Sequence, residues 1–129
     1  MVTAEGHVRL ADFTFAKNFD HKQGVSSLNH GPKAEANFKA LLPPYPAPEL
    51  EAGRKAEPRS DVFACGCLLY RCLGGMDPFE SPSDTAPKQE LRALRQDVPR
   101  ELAEVLRKCM SFSPSARYST AQSLAEALE

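Results

Sequence analysis

The sequence predicts a mainly α fold: a central buried helix surrounded by amphipathic helices, entered through a short β-strand or hairpin and a long loop. Three observations carry this. The run "RSDVFACGCLLYRCLGG", residues 59–75, is apolar on nearly every side, two later segments repeat apolar residues at helical spacing, and the stretch from Asn18 to Leu42 shows no sustained period.

Each element follows from local chemistry. Val8 and Leu10 alternate with His7, Arg9 and Ala11, the period of a short strand. Glu5-Gly6 suits a tight turn, which makes Met1 to Ala4 the end of a preceding hairpin strand. Gly24, Ser26, Ser27, Asn29, Gly31 and Pro32 mark the long loop. Pro43, Pro44, Pro46 and Pro48 then crowd together, with Pro58 after a gap. The central helix is expected from Ser60 to Leu73, with Ser60 as N-cap, Asp61 in the first turn and Gly74-Gly75 as the stop. Arg71 is the only strongly polar side chain from Val62 to Leu73, so the helix should be buried all round. A short helix is expected over Lys88 to Gln96. Leu102, Val105, Leu106, Cys109 and Met110 line one face of the next, from Pro99. The last helix opens at Ser119, with Gln122 three residues on, and carries Ala121, Leu124, Ala125 and Leu128 as its apolar stripe.

Composition narrows the function classes. A chain of 129 residues suits one domain and, if complete, would bury roughly 65–70% of its unfolded surface. Sixteen basic residues stand against seventeen acidic ones, evenly spread, so neither nucleic acid nor a membrane surface is expected as a partner. Cys65, Cys67, Cys72 and Cys109 lack paired zinc spacing and read as reduced thiols packed as small hydrophobes. The N-terminus lacks the pattern of a signal peptide, and the longest apolar run, Val62 to Tyr70, falls far short of the ~20 residues a bilayer span needs. The expected location is cytoplasmic or nuclear.

Asp12, in "LADFTFAK", fits two roles by residue type: a hard oxygen ligand for Mg²⁺, or a strand-end aspartate in local hydrogen bonds. Ser26 and Ser27 fit either a solvated loop or phosphosites that order it against arginines. "LPPYPAP" has the proline density of groove-binding peptides.

Four motifs in order resemble the C-terminal lobe of a eukaryotic-type protein kinase, across nearly the whole chain. "GHVRLADFTFAK" resembles the strand and D-F-G metal motif, with Thr14 in place of glycine. "YPAPE", Tyr45 to Glu49, is similar to the A-P-E box, a register that already accounts for Tyr45 and Pro48. "RSDVFACGCLLYRCLGGMDPF" resembles the lobe's central helix, with Asp61, Gly66 and Pro78-Phe79 in register. "CMSFSPSARYSTAQSLAEAL" resembles the lobe's final region, where an arginine, here Arg117, follows Pro114 by three.

The resemblance implies a partial kinase domain: residues 1–17 as strand and metal motif, 18–49 as activation segment, 58–129 as helical lobe. Asp12 takes the Mg²⁺ position, Phe13 beside it packs into the lobe near the nucleotide, and Glu49 pairs with Arg117. No catalytic residue is located in these 129: the catalytic-loop Asp and Asn, the Gly-rich loop and the phosphate-binding lysine are not found. The expected function is therefore that of a protein kinase fragment of Ser/Thr type. The parent would bind ATP and Mg²⁺ and phosphorylate protein substrates, while this chain alone is inactive. Thr14 is stiffer than the glycine it replaces, and Leu42 stands where Ser/Thr kinases carry threonine. The alternative is a catalytically dead kinase-like interaction module using exposed helix faces. Under either, the central helix wants more neighbours than the chain supplies, so an apolar surface beyond the few hundred Å² of a monomer, covered by a protein partner, is expected.

Overall fold

In the computed structural model, residues 3, 5–10, 45–81 and 84–129 are described. Five α-helices order them: α1 (Pro48–Glu51), α2 (Pro58–Gly74), α3 (Leu91–Leu94), α4 (Arg100–Cys109) and α5 (Ala121–Leu128), with a 3₁₀ turn at Pro114–Ala116 before α5. The mainly α expectation holds. The N-terminal strand does not form among the described residues: Val8 makes a single bridge, and Val8 and Leu10 are 78% and 83% exposed. A strand needs a partner edge, and the described chain offers none there. The turn at Glu5-Gly6 is present, with Gly6 at φ 83 and its N–H donated to the Thr3 carbonyl at 3.0 Å. The preceding hairpin strand lies mostly outside the described residues.

Helix α2 begins two residues before the expected N-cap. Pro58, whose missing N–H costs nothing in the first turn, starts it, and Ser60 is the third helical residue. The Ser60 hydroxyl takes the Glu57 N–H at 3.3 Å, which leaves its own hydrogen for another acceptor. At the far end Gly75 adopts φ 76 and gives its N–H to the Arg71 carbonyl at 2.8 Å, a left-handed cap that glycine reaches without strain.

One side of α2 makes the core. Phe63, Cys67 and Tyr70 pack with Leu91, Val98, Leu106 and Met110, while Val62 joins Cys109 and Leu124 in a second cluster. The fully buried Leu106 alone contributes on the order of 1.5–3 kcal/mol. Gly66 permits the closest approach: a Cβ there would meet the Cys109 Cβ at 2.6 Å. The Tyr70 hydroxyl donates to the Gln89 carbonyl at 2.8 Å and steers α3, a single turn shorter than the expected Lys88–Gln96 helix.

The opposite side of α2 corrects the expectation of all-round burial. Cys65, Leu68 and Cys72 are exposed, Leu68 at 54%, because α3, α4 and α5 all pack on the other face. Only Cys67 and Cys109 behave as buried hydrophobes, and burial pushes their thiols up to about 12 and about 11. Helix α5 starts one residue later than expected, at the reciprocal pair Thr120 and Ser123: the Ser123 N–H donates to the Thr120 hydroxyl at 3.1 Å and the Thr120 N–H to the Ser123 hydroxyl at 3.2 Å. Of its expected stripe only Leu124 is buried, since a helix resting on the edge of α2 and α4 needs one anchor. No helix among the described residues is long and apolar enough to cross a membrane.

Two outcomes follow for urea unfolding. Gly66→Ala should cost about 1–3 kcal/mol by forcing α2 and α4 apart, whereas Leu68→Lys on the uncovered face should stay within about 0.5 kcal/mol of the parent chain.

Candidate functional site

Glu49 and Arg117, 68 residues apart, meet at the heart of the site. Glu49 is presented by α1, one turn that Pro48 opens after the buried Ala47. Arg117 follows the 3₁₀ turn that Pro114 opens, in extended backbone at φ −86, ψ 172, which sends its side chain beneath the first turn of α2. Its Nη1 donates to Glu49 Oε1 at 2.8 Å and to the Arg59 carbonyl at 3.1 Å. Nη2 donates to Glu49 Oε2 at 2.9 Å and to the Phe112 carbonyl at 3.0 Å, and Nε donates to the Ser111 carbonyl at 2.7 Å. All five guanidinium hydrogens are therefore placed, an arrangement a lysine ammonium cannot reproduce. The guanidinium carbon also lies 4.6 Å from the Phe63 ring centroid.

Ser60 donates its free hydroxyl hydrogen to Glu49 Oε1 at 2.7 Å. The two charged side chains are 0% and 6% exposed for Arg117 and Glu49. Burial alone would raise the Glu49 pKa, but the hydrogen bonds from Arg117 and then Ser60 outweigh it and hold the carboxyl below its ordinary value.

A second polar group lies beside this one. The Tyr45 hydroxyl donates to Asp77, and Arg71 Nη1 donates to Asp77 and to the Tyr45 oxygen at 3.3 Å. These side chains border a cavity of about 290 Å³ floored by Phe63 and Phe79, whose rings stack at 5.6 Å. Asp61 stands in the first turn of α2 as expected, an exposed residue with no hydrogen-bond or ion-pair partner among the described residues. Partial burial raises its pKa.

Asp12, Phe13, Ser26 and Ser27, with Thr14 and Leu42, lie outside the described residues. Among those described, no three acidic, histidine or cysteine side chains gather in a way that could hold a metal. Sequence reasoning missed the roles of Ser60, Phe63 and Asp77 here. The available signal was Arg71, an isolated charge in an apolar helix, which announces an acidic or phenolic partner close by.

Glu49→Gln and Arg117→Met should each cost about 3–5 kcal/mol in a denaturant titration, because either change strands a buried charge. The acid limb has a definite sign. Glu49 sits below its ordinary 4.5, so its contribution is complete above about pH 4.5 and is lost as pH falls through the lowered native value. Glu49→Gln should flatten that limb of a stability-against-pH curve.

A profile of the protein kinase domain matches residues 1–128. Tyrosine-protein kinase MasK of Myxococcus xanthus is 35% identical over 136 residues, which cover 99% of this chain and 20% of that protein. A probable serine/threonine-protein kinase of Clostridium perfringens is 31% identical over 142 residues, covering 100% of this chain and 19% of its own. Among solved structures, the PknI kinase domain of Mycobacterium tuberculosis aligns at TM-score 0.57 and 31% identity, over 67% of this chain and 34% of that domain. The chain thus spans about a fifth of the length of the curated relatives it matches. With a match along nearly its whole length, and a buried carboxylate–guanidinium clasp joining α1 to the residue after the 3₁₀ turn, the chain belongs to the protein kinase family.

Proposed function

We propose that this chain is the activation-segment and helical-lobe portion of an ATP-dependent protein kinase of Ser/Thr type, whose complete form transfers the γ-phosphoryl group of ATP to protein hydroxyls. The observation that supports the reading is the clasp of Glu49 by Arg117, at the residue where the proposed activation segment would end. The relatives point both ways on the acceptor: MasK is named a tyrosine kinase, while most of the others are named serine/threonine kinases.

Asp12, in the register of the D-F-G motif, is the residue we assign to Mg²⁺, a hard carboxylate oxygen for a hard cation. Among the described residues no cluster of acidic, histidine or cysteine side chains offers a rival metal site. The bound ion would neutralise phosphate charge as the group transfers. The chain's own part is positional: Glu49, Arg117 and Ser60 hold residues 45–51 in place. Ser26 and Ser27 are the proposed sites where phosphate orders the segment. Four free thiols, two of them exposed, fit a reducing cytoplasmic setting.

Incubation of the full protein with γ-labelled ATP, Mg²⁺ and a general protein acceptor tests the proposal. Label should appear on serine or threonine, and Asp12→Asn should cut the rate by about a hundred-fold or more. No transfer, together with no thermal stabilisation by ATP and Mg²⁺, would leave the interaction-module reading in its place.

A further inference from the structure

Arg71 is the one strongly polar side chain in an otherwise apolar stretch of α2, and the Glu49 clasp does not use it. Its Nη1 is shared between Asp77 and the Tyr45 hydroxyl, and that hydroxyl in turn donates to Asp77. Three parts of the chain close into one ring of contacts: the residue four before Glu49, the last turn of α2, and the loop after it. Burial and then Asp77 raise the Tyr45 phenol, which keeps its hydrogen, while the Tyr45 and then the Arg71 contacts hold Asp77 ionised.

We infer that Arg71 is a positioning residue: with Tyr45 and Asp77 it forms a second tether that fixes the orientation of residues 45–49. Ala47 in the core and the clasp at Glu49 hold the later part of that stretch, and apolar packing alone sets no fixed orientation for the Tyr45 end. The tether at Tyr45 supplies it and also fixes Tyr45 and Pro46 as one wall of the cavity beside Phe63 and Phe79. The contacts are half-exposed, so this tether adds little to global stability and acts locally.

Amide hydrogen exchange on the protein tests it without reference to catalysis. The Leu50 and Ala52 amides, which donate to the Ala47 and Pro48 carbonyls, report the stretch directly. Arg71→Ala and Tyr45→Phe should each speed their exchange about three- to ten-fold and leave the Leu106 and Cys109 amides of α4 unchanged. Arg71→Lys, which keeps the charge but not the fork, should recover part of the protection. A further arm rests on the proposed function: KM for a protein substrate should rise several-fold in Arg71→Ala while KM for ATP stays constant. Exchange at Leu50 and Ala52 equal to the parent's in both variants overturns the inference, and so does an equal acceleration throughout α4. Local acceleration in a protein that transfers no phosphoryl group upholds the tether and removes the kinase reading alone.

Discussion

Arg117 sets the terms on which the rest of the lobe is arranged. A fully buried guanidinium must find an acceptor for each of its five hydrogens, because each one left unpaired carries a desolvation penalty of about 1–3 kcal/mol or more. The acceptors come from places that are far apart in sequence: the Ser111 and Phe112 carbonyls at the exit of α4, the Arg59 carbonyl in the first turn of α2, and both oxygens of Glu49. Satisfying all of them fixes how α1 sits on α2, and how the chain leaves α4 for the 3₁₀ turn. Ser60 contributes to the same end. As third residue of its helix it bridges the Glu57 N–H and the Glu49 carboxylate, so a residue that starts a helix also tunes the charge beside it.

Helix α2 supplies the other half of the architecture, by being unequal on its two sides. Gly66 brings the Cys109 backbone region against it, and Phe63 lies between the Arg117 guanidinium on one hand and the Phe79 ring on the other. That aromatic joins the charged clasp to the cavity, so the two polar groups of the site share a wall. The other side presents Asp61, Cys65, Leu68 and Cys72 to solvent.

Much of this was legible in the residues, and the failures have physical causes. The periodicity of residues 99–110 placed α4 within a residue of its true ends, and Gly74-Gly75 marked the stop of α2. The Glu49–Arg117 contact came from motif resemblance, since no local pattern links residues 68 apart. N-caps were misplaced, Ser60 for Glu57 and Ser119 for Thr120, because Ser, Thr and Glu near a helix start compete for the same few N–H groups. The all-round burial of α2 was overstated because hydrophobic composition says which faces can be buried, not which neighbours the chain supplies. The Tyr45–Arg71–Asp77 ring was invisible since its members are scattered over loop, helix and loop. Only Arg71 stood out as a charge in need of company.

The clasp differs from helix packing in how its contacts are spread. Helix α2 reaches α5 over almost as long a stretch of chain, Val62 meeting Leu124, and closing a loop costs only slightly more as it lengthens. Helix packing is shared among many apolar side chains, whereas the tie between Glu49 and Arg117 is gathered into one buried ion pair. One substitution can therefore remove that tie whole, where a single apolar change only thins the packing around it.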